Sequence, residues 1–281
     1  MKMVLLMTLF MVCSYSLVIS ITPGHDQSAN AVGQIANAIT QSFNKVDNIG
    51  PELSSAFENI DVKLPNLPTG KRDEEVDLGH ALSDHSGFDF SHENLPSENF
   101  AGATLNTTIF DSALLDGAML EGVRANEANF TQARLAQANL TAGEFKKTNF
   151  TGADLREAHA RGALMLDAVL TESDFSFAAF SGSNLKGAKF DEAYGAGAVF
   201  TETDLAGALF ENTDLSGARF NGADLSSAKF DGANLQLVNF DGAVLNGADL
   251  SEAINLTSAQ LTGACADAGT KLPEGIAAGR C

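Results

Sequence analysis

The sequence predicts an all-β repeat solenoid, a chain that turns a corner every five residues, and two observations predict it. Every fifth residue from Phe90 to Leu250 is large and apolar: 30 of these 33 positions hold Phe, Leu or Met, and no insertion breaks the phase. Two residues before each lies a column of small residues, with 21 Ala among the 30 positions from Ala103 to Ala248 and only Gly, Ser, Thr or Val elsewhere. Helices repeat every 3.6 residues and strands every two, so neither produces a period of five. A large side chain would fill the interior, and the small one would let the backbone pass close to it.

The segments Ala223-Asp224-Leu225-Ser226-Ser227, Ala233-Asn234-Leu235-Gln236-Leu237 and Ala153-Asp154-Leu155-Arg156-Glu157 match an A(D/N)LXX consensus. In these the chain resembles the pentapeptide-repeat family, over roughly 60% of its length. The resemblance implies a right-handed quadrilateral β-helix with four repeats per coil and about eight coils. With 20 residues per coil, one face stacks Phe90, Phe110, Phe130, Phe150, Leu170, Phe190, Phe210, Phe230 and Leu250. The opposite face stacks Phe100, Leu120, Leu140, Ala160, Phe180, Phe200, Phe220 and Phe240, and the other two faces are mainly Leu. Aromatic rings stack offset on their own kind, which favours such ladders in a dry interior. At the ordinary interstrand spacing, eight coils give a stack of roughly 40 Å.

The rest of the chain divides by composition. Residues 1–21 combine Lys2 with an uncharged apolar run from Val4 to Ile21, the layout of a secretory signal, with cleavage after Ser20 or near Ala29-Asn30-Ala31. At 18 residues the run also reaches the lower limit of a membrane span, so an uncleaved anchor competes with a cleaved signal. In residues 22–60, Val32, Ile35, Ile39, Phe43 and Val46 share one helical face, which predicts a short amphipathic helix for binding a partner, for self-association, or for folding back on the solenoid. Residues 61–87 are polar and read as a flexible linker. The solenoid is expected over 88–255, and residues 256–281 as a C-terminal cap with a helix across the last coil. The cap looks like that of exported bacterial members of the family. In an exported chain Cys265 and Cys281 read as a disulfide pinning this tail, with two free thiols as the alternative.

A formal charge of −19 repels nucleic acid and anionic lipid, so a charged partner should be basic. Membrane contact is expected only through an uncleaved N-terminal anchor. No cofactor or metal is expected: His80, His85 and His92, near Asp77, Asp84 and Asp89, match no ligand spacing and read as solvated linker. His159 reads as surface decoration. Five Asn-X-Ser/Thr sequons, at Asn106, Asn129, Asn139, Asn149 and Asn255, arise from the repeat itself. Asp and Asn before the core residue should hydrogen-bond the corner backbone. The gaps at Ala125, Ala160 and Gly195 fall on three faces; their outward neighbours Arg124, Arg161 and Tyr194 offer a candidate recognition patch, against packing defects filled by neighbours.

Three function classes follow. The first is a non-catalytic scaffold, exported to the periplasm or cell surface, that binds a protein or cell-envelope ligand. The second is an acidic mimic of DNA that binds an enzyme such as gyrase, as cytoplasmic relatives of similar repeat and acidity do; residues 88–281 carry 26 acidic and 12 basic residues. Export argues against the second and predicts that gyrase supercoiling is unaffected. An enzyme ranks last, because no catalytic constellation can be assembled.

Overall fold

The computed structural model describes residues 80–280, and these fall within one compact unit, Leu78–Cys281. Its backbone repeats a five-residue unit: two turn residues, one linking residue, one residue in a parallel bridge, and the large core residue. Each bridge joins residues 20 apart, from Asp84↔Thr104 to Asn234↔Ile254. The repeat geometry therefore begins ahead of the boundary read at residue 88, and His80 and His85 occupy the large-residue phase of the first coil.

The corners explain the glycines. Each closes through an N–H of the small-column residue onto the core carbonyl three residues earlier, as from Ala103 to Phe100 at 2.9 Å. The second of the two residues between them takes a left-handed φ, as type II turns require, for example +68° at Gly102. Where no glycine stands there, the same φ is imposed on bulky residues, +61° at Phe177 and +60° at Leu237.

The interior is dry and close-packed. Phe110, Phe130 and Phe150 stack at 4.8 and 5.1 Å between ring centres, and Phe180, Phe200, Phe220 and Phe240 at 4.9 to 5.5 Å. The two columns meet edge to face, as between Phe190 and Phe200 at 5.9 Å. Thr108, Thr148, Thr203 and Thr213 are buried in the small column, and each hydroxyl donates to a main-chain carbonyl, as Thr148 does to Ala125 at 2.6 Å. Burial without such a bond would cost about 1–3 kcal/mol each.

Three expectations need correction. The first is the closed, helix-capped β-helix. Regular strand among the described residues is confined to β1 (Cys265–Ala266) and β2 (Gly279–Arg280), which form an open two-stranded parallel sheet. Elsewhere only isolated one-residue bridges occur. The reason is the repeat: two of every five residues are spent on a corner, so no run of consecutive ladder residues builds a strand.

The second is the capping helix, which is a single four-residue 3-10 turn, Ser258–Leu261. A full helix would satisfy its own backbone groups and leave those of the last coil without partners. The tail instead continues the bridges at slipped spacing, Val244↔Cys265 and Asp249↔Lys271. Side chains complete the closure: Gln260 Nε2 donates to the carbonyls of Leu235 and Val238 at 2.6 and 3.1 Å, and Asp267 Oδ1 accepts the Gly247 N–H at 2.9 Å.

The third is the disulfide. Cys265 is the only cysteine among the described residues, so no disulfide joins two of them. Cys265 is itself disulfide-bonded, but the expected Cys281 pairing lies outside the described residues. The signal or anchor at 1–21, the amphipathic helix at 22–60 and residues 61–79 of the 61–87 linker also lie outside them. No helix among the described residues is long and apolar enough to cross a membrane.

Candidate interaction surface

With the core residues buried, the side chains available to a partner are the bridge column and the two corner residues of each repeat. The bridge column is partly committed to structure. Asp174, Asp204, Asp214 and Asp224 each accept, through Oδ1, the N–H two residues ahead, at 2.9 to 3.1 Å. Asn129, Asn139 and Asn149, three of the sequon residues, do the same for Thr131, Thr141 and Thr151. Carboxylates and amides here hold the corner in place of a backbone partner.

Hydrogen bonding sets the ionisation of several of these groups. The Ser86 hydroxyl and N–H hold the Asp84 carboxyl below the usual carboxylate range. The Arg156 guanidinium does so for Asp154, to which it is bound at 2.8 and 2.6 Å. The Lys271 ammonium, with help from the Ser251 hydroxyl, takes Asp249 down to about 2.

Arg134, Lys146, Arg156 and Lys271 are ion-paired. Arg134 binds Asp116 at 3.1 Å, Lys146 binds Glu144 at 3.2 Å, and Lys271 binds Asp249 at 2.7 Å. Lys146 and Arg156 thus spend their charge on neighbouring carboxylates.

Carboxylates dominate one corner. Glu172, Asp191, Glu192, Glu211, Asp231 and Glu252 follow one another up successive coils, linked by Glu172 N–H to Asp191 O, Glu192 N–H to Glu211 O, and Glu211 N–H to Asp191 Oδ1 at 3.1 Å. No Lys or Arg occupies this corner position in any coil; Lys189 and Lys229 stand in the bridge column two residues before Asp191 and Asp231, and Lys271, paired with Asp249, also interacts with Asp231.

The candidate patch residues do not converge. Arg124 lies in the bridge column of Thr104 and Glu144, Tyr194 in that of Asp174 and Asp214, and Arg161 at a corner of a third face. The gap at Gly195 is filled, because the Phe175 ring occupies the space a β-carbon there would need.

Two residues read as solvated linker belong to the core stack. His80 lies parallel to Phe100, 4.9 Å between ring centres, and His85 meets Phe90 edge-on at 5.7 Å. Their Nδ1 and Nε2 atoms are 3.1 Å apart, and burial pushes His85 below the usual imidazole range, with His80 adding to it. Carrying the five-residue phase back two repeats from Phe90 finds both. Among the described residues no group of three or more His, Cys, Asp or Glu is placed to hold a metal ion.

The described surface is that of a repeat protein, and comparison assigns the class. The family model for pentapeptide repeats matches residues 99–267, more than half of the chain, so the chain belongs to the pentapeptide-repeat family. No curated protein matches it.

Similar solved structures include HetL, a pentapeptide-repeat protein involved in heterocyst differentiation regulation in the cyanobacterium Nostoc. It is 28% identical, over 66% of this chain and 86% of that one, with a TM-score of 0.32. QnrB1, a plasmid-mediated fluoroquinolone resistance protein, is 21% identical over 69% and 91%, with a TM-score of 0.44. An Arabidopsis thaliana pentapeptide-repeat protein of the thylakoid lumen is 24% identical over 57% and 75%, with a TM-score of 0.10. At these scores the superpositions carry no functional argument.

Proposed function

We propose that this non-catalytic pentapeptide-repeat scaffold binds a protein partner, and that its acidic corner engages a basic, DNA-binding surface on that partner. The observation that carries the reading is the ridge Glu172, Asp191, Glu192, Glu211, Asp231 and Glu252. Its six carboxylates span four coil rises. At roughly 4.8 Å per rise this is one charge per roughly 3 Å. One strand of B-DNA carries one charge per about 3.4 Å. A groove shaped for phosphates would therefore meet a matching line of charge, held by the ladder without backbone rearrangement. This favours the DNA-mimic form over a scaffold for an uncharged wall ligand.

The compartment decides which basic partner is met. An exported chain, as residues 1–21 suggest, would meet a surface protein; a cytoplasmic one would meet DNA-binding enzymes such as gyrase. Fractionating the host with a C-terminally tagged chain, together with a gyrase supercoiling assay on the purified protein, tests the reading. Cytoplasmic residence with inhibition or protection of gyrase supports DNA mimicry. Export with no effect on gyrase removes it and leaves the surface scaffold.

A further inference from the structure

Beside the acidic ridge the surface carries two exposed aromatic rings that the core does not explain. Tyr194 is 60% exposed and Phe177 67% exposed. A surface Phe gains nothing from burial, and this one also sits at a left-handed φ of +61°, a conformation that disfavours bulky residues.

Its placement is specific. The Phe177 ring leans one coil upward, over the space that a β-carbon at Gly197 would fill, 2.7 Å from that position. The ring is thereby raised to the coil of Tyr194, three residues before Gly197. Between the two rings runs Gly195-Ala196-Gly197, a floor of small residues, anchored by the Phe177 N–H to the Ala196 carbonyl at 3.0 Å.

The charge around the rings is mainly negative, although Arg219 is bridged to Val199 on the next face. Tyr194 is bridged to Asp174 on one side and Asp214 on the other, and Asp191 and Glu192 precede it at the corner. Asp214 uses Oδ1 for the Ser216 N–H and the Asn234 amide, which leaves its second oxygen for an outside donor. Arg156 is held by Asp154 at 2.6 Å and also pairs with Asp174 at 3.8 Å, so the carboxylate left open beside Tyr194 is that of Asp214.

We propose that Tyr194 and Phe177, with Asp214, form a docking site for an arginine side chain on a segment of the partner protein. A guanidinium stacks on aromatic faces and donates in a fixed fork to carboxylates; a lysine ammonium is a more strongly hydrated point charge with no planar face. The site rests on the acidic-corner reading above and adds to it a side-chain preference that charge alone does not produce.

The test uses the full chain, an oligo-arginine peptide and an oligo-lysine peptide of equal length, titrated calorimetrically at matched ionic strength. The arginine peptide should bind about fivefold or more tighter than the lysine peptide. Tyr194→Leu and Phe177→Leu should each weaken arginine binding about threefold to tenfold and leave lysine binding unchanged, a range set by the strength of exposed cation–π contacts. Tyr194→Phe, which keeps the ring, should stay within twofold of wild type. Leu237→Ala, at an 80% exposed residue in the same corner column as Phe177 and three coils further on, should have no effect.

Equal binding of both peptides, undiminished in the Tyr194→Leu/Phe177→Leu double variant, would overturn the site while leaving the acidic corner standing. Absence of binding by either peptide would instead defeat the acidic-corner reading itself. Binding of a neutral oligosaccharide that is lost with the rings, without any arginine preference, would reassign the patch and overturn the proposal.

Discussion

The ring of Phe175 fills the vacancy that Gly195 leaves one coil further on, so these two residues share a single core position between them. The ring also touches both aromatic columns, 5.1 Å from Phe190 and 6.0 Å from Phe180 and Phe200. Phe175→Ala should therefore open a cavity costing about 3–5 kcal/mol. Gly195→Leu alone should overpack the site at a cost of about 1–3 kcal/mol. The pair Phe175→Leu/Gly195→Leu restores one Leu per coil and should be more stable than the sum of the single changes predicts. Denaturant melts of Phe175→Leu, Gly195→Leu and the pair check this; additive losses would show that the ring does not serve the gap.

Along the main ladder, Phe210→Ala and Phe220→Ala should each cost about 3–5 kcal/mol, because both rings are fully buried between stacked neighbours. Asp214→Ala should cost only about 1 kcal/mol: it loses hydrogen bonds to Ser216 and Asn234 at a half-buried site where water can replace them. Thermal unfolding of the three variants separates core from surface, and equal losses would contradict the inward assignment of the large column.

The first coil should be sensitive to acid. Burial, then the nearby His80, lowers the His85 pKa in the folded state, so the unfolded chain binds the proton more readily. Its contribution to stability is present above the unfolded value of about 6.5 and is lost as pH falls from there through the depressed folded value. His85→Phe should remove this dependence. Hydrogen exchange at the Leu82 and His85 amides, bonded to Ala101 and Thr104, reads it locally. Unchanged protection between neutral pH and pH 5 would count against it.

At the other end, Asp249 titrates near 2 because Lys271 and Ser251 hydrogen-bond its carboxylate. Its contribution is present above the ordinary carboxylate value and is lost as pH falls through about 2. Lys271→Met should bring the Asp249 pKa back toward 3.8, as followed by carboxyl-carbon NMR. An unmoved titration would mean that the cap does not hold this ion pair in solution.

How much of this could be read from the chain depends on which residues the repeat governs. The large and small columns carry the 20-residue winding, since one side chain in five must be large and one small wherever the corner recurs. The continuity of strand was misread, because the same spacing that reveals the repeat spends two residues in five on turns. The tail was misread as a helix, whereas the last coil needs partners for its carbonyls and takes them from Gln260. His80 and His85 were hidden by their polarity. Phe177 was not singled out because it lies outside both columns, and only the lean of its ring over Gly197 brings it level with Tyr194.

The central claim, that the acidic corner engages a DNA-binding surface, is tested most directly by competition. Labelled duplex DNA bound to purified gyrase would be titrated with the full chain and with a variant carrying Glu172→Gln, Glu192→Gln, Glu211→Gln and Asp231→Asn, at low and at physiological salt. The account predicts that the native chain displaces the DNA, that displacement weakens as salt rises, and that the neutralised variant fails while remaining folded by circular dichroism. No displacement by the native chain at low salt, or equal displacement by both chains, would contradict it.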